Sequence, residues 1–257
     1  MLIGPIIGDV VGSVYEWNNI KTKDFNMFNP LCEFTDDTVM TIAVADSILT
    51  KRDFGLVMWE YGRKYGGRGY GEKFANWLDD NQMLPYNSFG NGSAMRVSPI
   101  GYAYNDLEQV LDIALESAIV THNHPEGIKG AQSIALAICL SRHGKSKKEI
   151  KNLITKLFNY NLDFTLEEIR PNYTFDVTCQ GSVPHAIVSF LESTSFEDAI
   201  RLAVSIGGDS DTIACIAGSI SSAYYAEIPI DLINFVTSKL PSEFIDIINE
   251  FDECYGR

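Results

Sequence analysis

The chain has 257 residues, 46% of them hydrophobic and 21% charged, with a formal net charge of -14 at pH 7. That balance suits one large globular domain, residues 1–257, and excludes general disorder; the acidity excludes non-specific binding to nucleic acid or to an anionic membrane, since both need a cationic face. The five cysteines form no C-x-x-C pair, the N-terminus lacks a basic region, and no stretch approaches the ~20 apolar residues of a membrane span, so we expect a cytoplasmic monomer without zinc, disulfides or membrane anchor.

Ile3 to Tyr15 carries apolar residues at helical spacing, with Gly4, Gly8 and Gly12 on one face. Glycine weakens a helix, so this face predicts close approach by another helix that compensates. Asp9 within it reads as a cap or as a partner of a neighbouring group, and Glu16 as a solvated end. Asn18 to Phe34 is an irregular connection turning at Asn29-Pro30. It leads to Phe34-Thr35-Asp36-Asp37-Thr38, which opens an apolar-periodic run from Val39 to Leu49. Thr and Asp are favoured caps, yet this stretch holds more oxygen donors than one cap uses. Asp53 to Tyr65 predicts a further helix, stopped by Gly66-Gly67-Arg68-Gly69-Tyr70-Gly71. That glycine-rich loop either brings backbone N–H groups to a ligand or simply links helices.

Ser88-Phe89-Gly90-Asn91-Gly92-Ser93-Ala94-Met95-Arg96 places a tight turn before a helix start, a natural cradle for a phosphate or pyrophosphate. It has no Lys-Ser or Lys-Thr and follows no clear strand, so neither a P-loop nor a dinucleotide-binding reading holds. Phe89 either stacks on a base or sugar or plugs the core. From Leu107 the periodicity predicts helix after helix: Leu107 to Thr121, Gly127 to Arg142, Lys147 to Tyr160, Ser182 to Leu191, Phe196 to Ser205, Ile213 to Ala226 and Pro241 to Phe251. Ser146, Gly181, Ser195 and Ser242 read as caps, and Cys139 and Cys215 as core. One short strand candidate, Tyr173 to Thr178, cannot found a sheet, so the fold class is all-α. Within Thr121-His122-Asn123-His124-Pro125, His122 can donate to a ligand phosphate or hydroxyl and His124 can satisfy the loop, while His143 and His185 have no supporting context.

Gly207-Gly208-Asp209-Ser210-Asp211-Thr212 repeats the composition of the first acidic turn at the start of another apolar helix. Only hard oxygen donors are present, which suits Mg²⁺, Mn²⁺ or Ca²⁺ rather than zinc, and the expectation is that both turns converge on one metal site.

Taken together and in order, Gly8 to Glu16, Phe34 to Thr38, Ser88 to Arg96, Thr121-His122 and Gly208 to Thr212 resemble the ADP-ribosylglycohydrolase family, over nearly the whole chain. The resemblance implies a compact orthogonal multi-helical single domain with a binuclear metal cleft holding two divalent cations, Mg²⁺ or Mn²⁺. It implies Thr35, Asp36, Asp37, Asp209, Asp211 and Thr212 as metal ligands. By the same resemblance Ser88, Phe89, Gly90, Asn91 and Gly92 hold a pyrophosphate, with Phe89 toward the adenosine. His122 and Ser210 contact the ligand, and Gly69, Tyr70 and Gly71 line its rim. Glu16 matches a glutamate carried on a mobile segment beside the scissile bond, and would be catalytic with Asp36 and Asp209.

The implied activity is hydrolysis of the glycosidic bond between ADP-ribose and an acceptor, through an oxocarbenium-like transition state. The His122-Asn123-His124-Pro125 form resembles the bacterial branch, whereas Arg68 to Gly71 with Ser88 to Arg96 is similar to a branch acting on O-linked ADP-ribose. The alternatives are a module that binds ADP-ribose without cleaving it, and a metal-dependent phosphoester or pyrophosphate hydrolase.

Overall fold

A computed structural model describes residues 1–256. Its helices in chain order are α1 (Ile3–Gly12), α2 (Asp36–Thr50), α3 (Phe54–Lys64), α4 (Glu72–Asp79), α5 (Gly92–Met95), α6 (Ser98–Ala103), α7 (Leu107–Ile119), α8 (Pro125–Arg142), α9 (Lys147–Phe158), α10 (Leu166–Ile169), α11 (Cys179–Glu192), α12 (Phe196–Ser205), α13 (Ser210–Tyr225), α14 (Ile230–Thr237) and α15 (Ser242–Tyr255). A 3₁₀ turn, Ser13–Tyr15, continues α1. Among the described residues there is no strand, only an isolated antiparallel bridge between Gly90 and Thr178, so Tyr173 to Thr178 is a loop.

The glycine face of α1 decides the architecture. A Cβ on Gly4 would lie 2.2 Å from Ser222 Oγ, on Gly8 2.1 Å from the Ala214 carbonyl oxygen, and on Gly12 2.5 Å from Asp211 Cα. Backbone therefore meets backbone along the whole α1–α13 interface, and no larger residue fits. Both helices are surrounded: α1 is buried throughout and α13 is buried from Ser210 to Ser222. A helix buried on all sides needs a shell of others around it, and α2, α8, α11 and α12 supply much of that shell. The buried apolar side chains form one contiguous core, Cys139 and Cys215 included.

Five short helices, α4, α5, α6, α10 and α14, were not legible as periodic runs. None exceeds eight residues, too short for a 3.6-residue period to repeat clearly. Two cap assignments also change. Thr178, not Gly181, caps α11 through its side chain, and α15 begins after Pro241 without a side-chain cap. Ser146 and Ser195 cap as expected.

Candidate active site

Because Gly12 rests on Asp211, the end of α1 and the start of α13 lie together, and α2 begins alongside them. Asp9 on α1 organises the first acidic turn. Its Oδ1 accepts from Thr35 Oγ1 at 2.6 Å, and its Oδ2 from the backbone N–H of Thr35 at 2.9 Å and of Thr38 at 3.1 Å. The Thr38 hydroxyl also donates to Oδ2. The sequence reading of Asp9 as a paired group holds, and these bonds hold the N-terminus of α2 at a fixed angle to α1.

The two acidic turns meet. Thr212 Oγ1 donates to Asp37 Oδ2 at 3.1 Å, and one oxygen each from Asp9, Asp37 and Asp211 lie within 4.8 Å of one another. Oxygens of Glu16, Asp209 and Asp211 converge equally closely. Asp37 Oδ1 is buried and has no hydrogen-bond partner among the described residues. A buried carboxylate oxygen left unpaired is costly. The carboxyl groups of Asp36, Asp37 and Asp211 are all held well above the usual carboxylate range, first by burial and then by neighbouring carboxylates: Asp211 beside Asp36, Asp9 beside Asp37, and Asp209 beside Asp211. Asp209 is pushed up to about 6 by burial, against the hydrogen bonds it receives, and Glu16 to about 7 by burial and the Asp211 charge. Among the described residues, Asp36, Asp37, Asp209 and Asp211 form no ion pair with a cationic side chain, so divalent cations fit the missing countercharge. The Thr212 hydroxyl fits too, since it directs its proton to Asp37 and keeps its lone pairs for a hard ion, whereas Thr35 donates to Asp9, accepts the Asp37 N–H at 3.4 Å and keeps one lone pair.

This wall bounds a cavity of about 490 Å³, a size suited to a small-molecule ligand. Of the predicted residues, Glu16, Asp36, Asp37, Asp209, Asp211 and Thr212 line it on the acidic side. Gly69, Tyr70 and Gly71, with Ser88, Gly90, Asn91, Gly92 and His122, line the remainder. Thr35, Phe89 and Ser210 do not. Thr35 caps α2 behind the wall. Ser210 is fully buried and donates toward the carbonyls of Gly208 and Tyr15. Phe89 points outward, 42% exposed, with its ring 5.3 Å from that of His124, so it neither plugs the core nor reaches the cavity. His124 itself caps α8, its Nδ1 accepting from the Glu126 N–H at 3.1 Å.

Asn91 departs from its expected role. Its Nδ2 donates to Asp209 Oδ2 at 2.6 Å and to Ser182 Oγ at 2.9 Å, and its backbone N–H to the Val177 carbonyl at 2.8 Å. Its donors are spent on the protein, so it orients an acidic residue instead of cradling a phosphate. Gly90 and Gly92 earn their place differently: a Cβ on Gly92 would lie 3.1 Å from His122 Nε2, and only glycine leaves that nitrogen clear. Burial and the nearby Arg96 charge hold the His122 pKa well below its usual value, so the ring is neutral. Thr121 Oγ1 accepts from Arg96 at 2.9 Å and is 2.7 Å from His122 Nδ1. When the Thr121 proton is directed to Nδ1 the imidazole carries its N–H on Nε2, the nitrogen beside the turn, and in the other tautomer Nε2 accepts.

Residues the sequence did not single out complete the lining, among them Trp17, Tyr86, Arg96, Phe175 and Val177. Arg96 is fully buried and makes no ion pair among the described residues. A lone arginine inside the apolar stretch from Ala94 to Val97 was the available signal. The glycine-rich loop is tied to the acid wall by Asp36 N–H donating to the Arg68 carbonyl at 2.9 Å, with the Arg68 guanidinium stacked 3.9 Å from the Phe34 ring.

The family model described as ADP-ribosylglycohydrolase matches residues 1–252. The chain belongs to the ADP-ribosylglycohydrolase family. Among its relatives, the ADP-ribosylhydrolase ARH3 of Xenopus tropicalis is 27% identical over 90% of this chain and 87% of its own length. The human ARH3 is 28% identical over 87% of this chain and 84% of its own. The ADP-ribosylarginine hydrolase Tri1 of Pseudomonas putida is 24% identical over all of this chain and 81% of its own. A solved structure titled ADP-ribosylglycohydrolase-related protein complex superposes with a TM-score of 0.78, covering 98% of this chain and 95% of that one at 20% identity, which establishes the shared fold. Membership in the ADP-ribosylglycohydrolase family makes this all-α chain a hydrolase acting on ADP-ribosylated groups.

Proposed function

We propose that this chain hydrolyses the glycosidic bond joining ADP-ribose to an acceptor, using two divalent cations, Mg²⁺ or Mn²⁺, held between the acidic turns. The observation that carries the reading is the meeting of those turns on one cavity wall with an oxygen of Asp37 buried and unpaired. Asp36, Asp37, Asp209 and Asp211, with the hydroxyls of Thr35 and Thr212, would hold the ions. Bound there, such ions supply Lewis acidity to ribose hydroxyls and to a water.

The chain's own residues supply the rest. Glu16 lines the cavity with a pKa near 7, suited to exchanging a proton at neutral pH between attacking water and leaving atom. Its raised pKa and its place beside Asp209 and Asp211 support a role at the reacting end of the ligand. His122 offers a neutral polar nitrogen to a ligand oxygen elsewhere on the lining, where Arg96 provides a buried positive charge suited to the diphosphate. Asn91 fixes the orientation of Asp209. Met40, Tyr70 and Phe74 wall the cavity with apolar surface and limit water.

The test is product analysis on defined ADP-ribosylated acceptors, with N-linked arginine and O-linked serine among them, with and without EDTA. Free ADP-ribose, formed only in the presence of divalent cation, is the expected result. AMP as product identifies a pyrophosphatase, and unchanged ligand retained by the protein identifies a binding module; either overturns the proposal.

A further inference from the structure

Glu16 lies at the end of the 3₁₀ turn that follows α1, in a stretch whose next three residues are all exposed. Few apolar contacts hold such a stretch, yet Glu16 is directed at Asp209 and Asp211. Asn19 accounts for this. Its Nδ2 lies 2.7 Å from the carbonyl oxygens of both Tyr15 and Glu16 and 3.0 Å from that of Gly208. Its Oδ1 accepts the Gly208 N–H at 2.6 Å. One amide side chain thus spans the Glu16 turn and the Gly207-Gly208 turn that immediately precedes Asp209. Both glycines have positive φ, 71° and 76°, and a Cβ on Gly207 would lie 3.0 Å from Asn19 Oδ1, so the close approach depends on their being glycine. Lys21 reinforces the clasp, donating to the carbonyls of Tyr173 at 2.7 Å and Ile206 at 2.5 Å. Beyond Glu16, the Trp17 ring stacks on Phe175 with centroids 5.2 Å apart, although Trp17 remains 76% exposed.

Asn19 is itself exposed, and its side chain fills no core space. Two of its four bonds are exposed to solvent, so its share in the stability of the fold is modest beside its part in placing one carboxylate. We propose that Asn19 is a positioning residue that clasps the Glu16 turn to the Gly207-Gly208 turn and so fixes Glu16 over the acidic centre. The inference rests on the reading of Glu16 as the proton-exchanging group. Without the clasp, the Glu16 turn is free to swing with Trp17, while the ribose- and phosphate-facing residues stay where they are.

Asn19→Ala removes both halves of the clasp, and Asn19→Asp keeps the acceptor for the Gly208 N–H while losing the donors to three carbonyls. Steady-state kinetics on an ADP-ribosylated acceptor should show kcat reduced about 10²-fold in both variants, the scale expected when a reacting group is misplaced by about 1 Å. KM, ADP-ribose affinity and melting temperature should stay close to those of the unaltered protein. ¹⁹F spectra of protein labelled with 5-fluorotryptophan give a second readout on the three tryptophans. The Trp17 resonance, assigned by its loss in Trp17→Phe, should shift and narrow in Asn19→Ala as the ring leaves Phe175. An unchanged kcat, or a fall in kcat matched by a fall in melting temperature, overturns the inference while leaving the proposed function intact. Failure of the unaltered protein to release ADP-ribose from any acceptor overturns both.

Discussion

The hydroxyl of Thr212 donates to the Asp37 carboxylate at 3.1 Å, joining residues 175 apart in sequence and closing the two acidic turns into one wall. The wall gathers carboxylates that repel one another, and its integrity is set by the α1–α13 contact that lies behind it.

Replacing Asp37 or Asp211 by asparagine removes a cation-binding charge and also relieves the repulsion. Calorimetric Mg²⁺ uptake should be lost and kcat/KM should drop more than about 100-fold. The metal-free variants should melt higher than metal-free wild type, because a buried carboxyl whose anion is disfavoured by burial and by its neighbours has become a neutral amide, at Asp37 one with an unpaired oxygen. Retained Mg²⁺ uptake with full activity would remove these residues from the site.

The pH dependence of the metal-free protein has a definite sign. Glu16 rises from 4.5 to about 7 and Asp209 from 3.8 to about 6, so the folded state binds more protons than the unfolded one in between. The stability tied to these groups is fully present below their unfolded values and is lost as the pH climbs through about 6 to 7. With EDTA, melting should fall by about 5 °C or more between pH 5 and pH 8. Mg²⁺ should restore stability more at pH 8 than at pH 5. A Glu16→Gln, Asp209→Asn double variant should make the profile less steep between pH 5 and pH 8, the remaining slope belonging to Asp36, Asp37 and Asp211; a profile that matches wild type would take Glu16 and Asp209 out of the account.

Gly8→Ala tests the helix pair that carries the wall. The added methyl would lie 2.1 Å from a backbone oxygen of α13 and cannot be absorbed by a rotamer change. Urea unfolding should show a loss of about 1–3 kcal/mol, accompanied by weaker Mg²⁺ binding because Asp9 and Asp211 are pushed apart. Gly71→Ala, where a Cβ meets nothing within 4 Å, serves as the control and should leave stability near wild type.

His122→Ala should weaken ADP-ribose binding about tenfold, the worth of one buried donor to a charged ligand, with Mg²⁺ uptake unchanged. Any change in binding between pH 6 and pH 8, measured by calorimetry, should come from Glu16 and Asp209 and be the same in His122→Ala as in wild type, since the imidazole stays neutral across that range. Stronger binding at pH 6 that vanishes in the variant would mean that the ring binds as a cation.

Helical class, the close-packing face of α1, both acidic turns and the motif order that resembles the family were legible in the sequence. They depend on local periodicity, capping chemistry and glycine spacing, all of which act within a few residues along the chain. Short helices such as α4 and α10 escaped because one or two turns leave no period to read. The spatial partners escaped for a different reason. Asn91 reads as a phosphate cradle in sequence, and only the fold brings Asp209 and Ser182 within reach of its amide. Phe89 carries the same side chain on either side of its loop, and packing of that loop against α8 and α11 turned it away from the cavity. Sequence thus determined which oxygen donors, glycines and aromatics the chain carries. The tertiary structure decided which of them share a surface, because hydrogen bonds and burial energies depend on distances in space that long-range helix packing alone sets.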